Sequence, residues 1–197
     1  MSKLTINQLL EYRKELYPNI KPFNAIKLVD TVVRYDNNTL RVNSEAKSTT
    51  SSSNHKQSII FYNVKYYDRV LKTGLPVKDA NGEYKYMGKI NANTHKCEVK
   101  CSCESYRFAF EWYAAKAGSN IGRARGYKRK TPPPPEGRPY VNPNFTPGLC
   151  KHLIGLIETL KKRGVIISFK DQAKDKVIKP QDFKSMSYDD IKKKYGG

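Results

Sequence analysis

Long apolar runs are missing from this sequence. No stretch of about 18 apolar residues occurs among its 197 residues, so no transmembrane helix is expected. Acidic residues are few: 18 Asp and Glu stand against 37 Lys and Arg, a formal net charge of +19. Such a surplus asks for an acidic partner, whether nucleic acid, a lipid surface or an acidic protein face. Catalytic arrangements are missing as well. There is no glycine-rich phosphate loop, no Ser-His-Asp set and no more than three histidines. An enzyme is therefore not expected, nor is a small-molecule substrate. The opening residues MSKLTINQLLEYRKEL carry charges where a secretory signal needs unbroken apolar sequence. The expectation is a reducing compartment, or a particle assembled in one. No internal repeat is visible.

What is present reads as an α+β chain. Residues 4–17 have helical spacing, with Ile6, Leu9, Leu10 and Leu16 on one face and Arg13 interrupting it. Thr5 suits the N-cap, and Pro18 with Pro22 ends the helix. Residues 1–42 thus form a helix followed by strands. Residues 43–57 are small and polar, and strand-like sequence on both sides makes them a loop rather than a linker. Residues 58–67 are β-branched and aromatic, and residues 83–90 and 95–103 also read as strands, giving an antiparallel β-meander. Residues 105–117 turn helical, with Phe108, Trp112 and Ala115 on one face. Residues 118–148 are irregular and rich in proline, four of them consecutive at 132–135. Residues 149–163 form the clearest helix, with Leu149, Leu153, Leu156, Ile157 and Leu160 as its stripe and Gly164 as its stop. The reading divides the chain into residues 1–42, the loop 43–57, a module 58–164 carrying the insertion 118–148, and a strand and tail over 165–197.

Four cysteines carry the chemistry. Cys101 and Cys103 lie two apart, and Cys150 lies two before His152. Three thiolates and one imidazole make the donor set of a closed structural zinc site. On a strand, residues two apart share a face, with Cα atoms about 6.6 Å apart, so both thiolates reach one ion. Cys97 shares that face but stands about 13 Å from Cys101, too far to join without a sharp bend. It reads as a core cysteine, His95 as an exposed strand residue, and His55 as a residue with no specific role. Either Cys97 or His95 in place of a proposed ligand is the open alternative. In a helix, i and i+2 point apart, so Cys150 must stand at or before the first turn. There the positive helix end favours a thiolate. Disulfides and unliganded buried thiols are the competing readings, and the missing export signal counts against the first.

The segments VKCSCESYRF and PGLCKHLIGLIETL resemble a SWIM-type zinc finger: Cys-x-Cys at a strand end, then Cys-x-His opening an apolar helix. The resemblance covers residues 94–164. It departs from the common form in its gap, since 46 residues separate Cys103 from Cys150. The longer wording CSCESYRFAFEWY with NPNFTPGLCKHLI resembles small virion structural proteins of large tailed bacteriophages. The first resemblance implies a structural zinc ion and association with DNA or protein. The second implies other virion or assembly proteins as partners, and the virion or the host cytoplasm as location.

The charge is local. Residues 116–130 hold Lys116, Arg123, Arg125, Lys128, Arg129 and Lys130, with Tyr127 among them and no acid. Cations around a stacking ring suit a phosphate backbone or an acidic neighbouring subunit. Two functions follow as expectations: a zinc-pinned virion assembly component, or a nucleic-acid-binding protein using this loop.

Overall fold

The Thr5 hydroxyl accepts a hydrogen bond from the Gln8 N–H (3.2 Å), and the Gln8 side-chain oxygen accepts one from the Thr5 N–H (2.9 Å). This reciprocal pair satisfies two of the donors a helix leaves open at its start. The helix it opens, α1 (Ile6–Leu16), buries Ile6, Leu9 and Arg13. The computed structural model describes residues 3–34, 37–47, 54–68, 74–78, 82, 84–125, 142 and 144–167. After α1 come β1 (Ile26–Arg34), β2 (Thr39–Ala46), β3 (His55–Phe61), β4 (Tyr66–Tyr67), β5 (Leu75–Lys78), β6 (Tyr84–Met87), β7 (Ile90–Asn91) and β8 (Cys97–Cys101). Then follow α2 (Glu104–Ala109), α3 (Glu111–Lys116), α4 (Lys151–Lys162) and β9 (Ile166–Ile167).

The architecture is α+β. Its main sheet is antiparallel in the order β1-β2-β3-β8. Alternation sets its buried face: Leu40, Val42, Ser44 and Ala46 on β2, Gln57, Ile59 and Phe61 on β3, and Cys97, Val99 and Cys101 on β8. α4 lies across this face and adds Leu153, Leu156, Ile157 and Leu160 to one core, which Ile6 and Leu9 of α1 also enter. A second sheet, β4-β6-β5, stands between β3 and β8 in the chain, and β7 pairs in parallel with β9. The meander is thus interrupted rather than continuous. Among the described residues, no helix is long and apolar enough to cross a membrane.

Several boundaries move. The polar stretch at 43–57 is strand at both ends, because Ala46 pairs with His55 and Ser44 with Gln57. The strand expected over 58–67 breaks after Phe61, where Asn63 takes a positive φ of 59°. The strand expected over 95–103 stops at Cys101, and Cys103 caps α2 instead. The helix expected over 105–117 is two helices meeting at Phe110. That break shifts its phase. Tyr106, Ala109, Phe110, Glu111 and Ala114 turn inward, while Phe108 and Trp112 stay 39% and 53% exposed. The stripe of α4 is buried as expected. The tail reading beyond Ile167, the tip 48–53 of the polar loop and the proline run at 132–135 lie outside the described residues.

The outer edge of β8 is covered. Cys97 N–H donates to the Leu4 carbonyl (2.8 Å), and Val99 exchanges hydrogen bonds with Ser119 and Ile121 (2.9 and 3.1 Å). The chain entering α1 and the chain leaving α3 therefore both lie against the strand that ends in Cys101.

Candidate metal centre

Four donors come from three elements. Cys101 ends β8, Cys103 is the N-cap of α2, Cys150 is the N-cap of α4, and His152 stands in the first turn of α4. Their ligand atoms all lie within 4.8 Å of one another, and all four residues are buried. His152 turns Nδ1 to the cluster, 4.0 Å from Cys101 Sγ. A tetrahedral ion with sulfur at 2.3 Å needs donors about 3.8 Å apart, so a small contraction closes the set on one ion. The four residues could hold a metal ion.

The local chain explains the arrangement. Gly148 lets the segment before α4 run against Phe110, since a Cβ there would stand 2.7 Å from the Phe110 ring. Cys150 then enters in extended conformation (φ −78°, ψ 166°) with no other side-chain cap bond to satisfy. Cys103 is likewise extended, and its sulfur accepts the Tyr106 N–H at 3.4 Å. Both thiols thus meet helix N-termini, where partial positive charge favours a thiolate.

Electrostatics divide the thiols. Cys103 is held well below the ordinary thiol value, first by hydrogen bonds from Cys101 and Cys150, then helped by His152 and the Tyr106 N–H. Cys101 is pushed up to about 12, chiefly by its hydrogen bond to Cys103, and Cys150 is raised chiefly by burial. Arg13 of α1 lies close by. Its guanidinium donates to the Ile20 carbonyl (3.0 Å), and burial lowers its pKa against a smaller opposing influence of Cys150. The residue that interrupts the apolar stripe of α1 is thus buried and held by the Ile20 carbonyl.

The surroundings hold residues the sequence did not single out. The His55 ring lies 4.6 Å from that of His152, and Phe23 meets His152 edge-on at 5.1 Å. His55 thus packs on a candidate ligand, against the expectation of no specific role. The signal lay in strand register: Gln57 pairs with Cys101, so His55 falls at the same end of the sheet. Glu111 is fully buried between Lys100 Nζ (2.7 Å) and Arg125 Nε (2.9 Å). Burial acts to raise its pKa, but the two cations outweigh it and hold the carboxyl below its usual value. Arg125 also donates to the Cys101 carbonyl (3.3 Å), which ties the start of the insertion to the metal ligands.

Cys97 stays outside the cluster as a core thiol, buried beside Phe61 and pushed up to about 12 by desolvation. His95 is not an exposed strand residue. It is half-buried in the turn before β8, where its Nδ1 accepts the Asn91 N–H (3.0 Å) and desolvation lowers its pKa. Neither replaces a proposed ligand.

The basic segment is not uniform. Arg125 is committed to Glu111, and Lys116 lies 5.6 Å from the Trp112 ring centroid. Arg123 is exposed, and its carbonyl accepts from Lys100 (3.2 Å). Tyr127, Lys128, Arg129 and Lys130 lie outside the described residues.

No known family, curated protein or solved structure matches this chain.

Proposed function

We propose that this chain is a non-enzymatic, zinc-stabilised basic protein that assembles with acidic neighbouring chains as a component of a tailed-phage virion. The buried Cys101–Cys103–Cys150–His152 cluster carries the reading. Thiolates with one imidazole suit zinc, and four protein ligands leave no position for a reactive water. The ion then builds structure: it ties β8, α2 and α4 together. The assembly half rests on the charge of +19 and on the wording around both ligand pairs, which resembles virion proteins. The partners are other virion or assembly proteins, and the place is the particle or the host cytoplasm during assembly.

Elemental analysis of the purified chain should find about one zinc per chain. A folded, metal-free wild type with an unchanged melting temperature defeats the zinc half. Absence of the chain from purified particles defeats the assembly half.

A second reading is contact with nucleic acid. It is favoured by one observation, an acid-free groove beside Trp112 lined by Lys116 and Arg123. Several Lys and Arg displacing counterions make such binding fall steeply with salt, and a log–log slope near zero counts against it.

A further inference from the structure

α3 is inverted with respect to stability. It buries a carboxylate, Glu111, which needs two cations to stay inside, and leaves its tryptophan 53% exposed. Burying that ring would remove far more apolar surface from water than burying the carboxylate does. Trp112 is also the sole tryptophan of the chain. Beside it runs a shallow groove of about 610 Å³, lined by Trp112, Ala115, Lys116, Gly122, Arg123 and Ala124. Nothing in that lining is acidic. The Lys116 ammonium lies over the ring, 5.6 Å from its centroid, and Arg123 is exposed in the same lining.

We propose that this groove binds single-stranded nucleic acid, with one unpaired base stacked on Trp112 and its flanking phosphates met by Lys116 and Arg123. The inference rests on the nucleic-acid reading and adds to it the site and the form of the strand. The cations alone would suit any anion. The exposed ring beside them selects a ligand that alternates flat π-faces with phosphates, and an unpaired strand offers its base faces freely. Gly122, in left-handed conformation at φ +71°, turns the chain so that Arg123 returns towards α3. Glu111 supports the surface from below. By holding Lys100 and Arg125 it fixes the segment on which Arg123 rides.

The single tryptophan makes the test direct. The full-length, zinc-loaded chain is titrated at low salt with an unpaired oligonucleotide of about a dozen nucleotides, within the usual footprint of such sites. Trp112 emission should be quenched on binding. An abasic strand of equal phosphate count should bind more weakly and quench little. By anisotropy of a labelled strand, Trp112→Ala should weaken binding about tenfold, the usual cost of losing one stacked base. Trp112→Phe should recover most of it, and Lys116→Glu should weaken both strands. Equal affinity for the abasic strand, or an unchanged Trp112→Ala variant, overturns the stacking site while leaving phosphate contact in place. No binding of either strand at low salt removes the nucleic-acid reading and the site together. Quenching by polyglutamate equal to that by the oligonucleotide also overturns the site, and assigns the groove to an acidic polypeptide.

Discussion

Cys97 and Cys101 sit four residues apart on the same face of one strand, yet they have opposite fates. Cys97 meets Phe61 and stays a neutral core thiol, while Cys101 meets two sulfurs and an imidazole. Two variants separate them. Cys97→Ala should keep about one zinc per chain and cost about 1–2 kcal/mol, read by denaturant melts. Cys101→Ser or Cys150→Ser should lose the metal and the cooperative transition, since structural zinc contributes on the order of 10–16 kcal/mol in small domains. Equal zinc content in Cys97→Ala and Cys101→Ser would contradict the assignment. The proton inventory gives a second check. Cys101 and Cys150 are raised and keep their protons at neutral pH, while Cys103 is lowered. Zinc must displace thiol protons, so apparent affinity should rise with pH near neutrality. A pH-independent affinity in competition with a chelator would exclude this inventory. Glu111 carries its own sign. Its carboxyl lies below the ordinary value, so its contribution is present above the unfolded carboxylate pKa and is lost as pH falls through the folded one. Glu111→Gln should cost about 1–3 kcal/mol at pH 7 and soften the acid limb of the stability curve. An acid limb identical to wild type would show that the ion pairs do not matter.

Two helix starts were legible in the sequence. Thr5 with Gln8 spells a capping box, and α1 begins there. The Cys150–His152 spacing demands a cap position for the first residue, and α4 supplies it. The break at Phe110 was not legible. Helical spacing continues through it, and only the tertiary demand to bury Tyr106, whose hydroxyl donates to Asn120 Oδ1 (2.9 Å), resets the phase. For the same reason Phe108 and Trp112, which the spacing sets on one face, stay exposed. The strand end at Cys101 was hidden too, because Cys-x-Cys alternates like a strand while Cys103 already serves α2. Gly155 shows a constraint of the opposite kind. It lies mid-helix in α4, where glycine costs about 1 kcal/mol, yet a Cβ there would collide with the Phe23 carbonyl. The backbone at Phe23 crosses α4 directly and is held by the Phe23 N–H to the Lys151 carbonyl (3.1 Å). Gly155→Ala should therefore lower stability by about 1–3 kcal/mol despite its better helix propensity, as overpacking does. A variant with a raised melting temperature would show that the crossing yields at little cost.

At the scale of the molecule, the charge that opened the sequence divides into two parts. Arg13 and Arg125 are committed inside, to the Ile20 carbonyl and to Glu111. Lys116 and Arg123 are exposed at a groove. The α+β class and the ligand set could be read from local patterns, because spacing within a strand and within a helix start is a short-range matter. The insertion of β4-β6-β5 between β3 and β8, and the closing of β7 on β9, depend on partners distant in sequence and left no local trace. Removal of the metal should act on the whole of this assembly, because its ligands join the last strand of the main sheet to the helix that covers it. A chelator should therefore abolish one cooperative melting transition rather than loosen a single loop, and retention of that transition by calorimetry would argue that the core stands alone.

The segment between Arg125 and Asn142 is anchored at both ends. Arg125 is clasped by Glu111, and the Asn142 amide donates to the Ala109 carbonyl (2.7 Å) and to the Thr146 carbonyl (2.6 Å). Its end points are thus set by the scaffold and not by its own wording. Closure entropy grows only slowly with length, so a change of length between these two anchors should cost the core little. The two anchors thereby separate the length of the intervening chain from the stability of the scaffold that holds its ends.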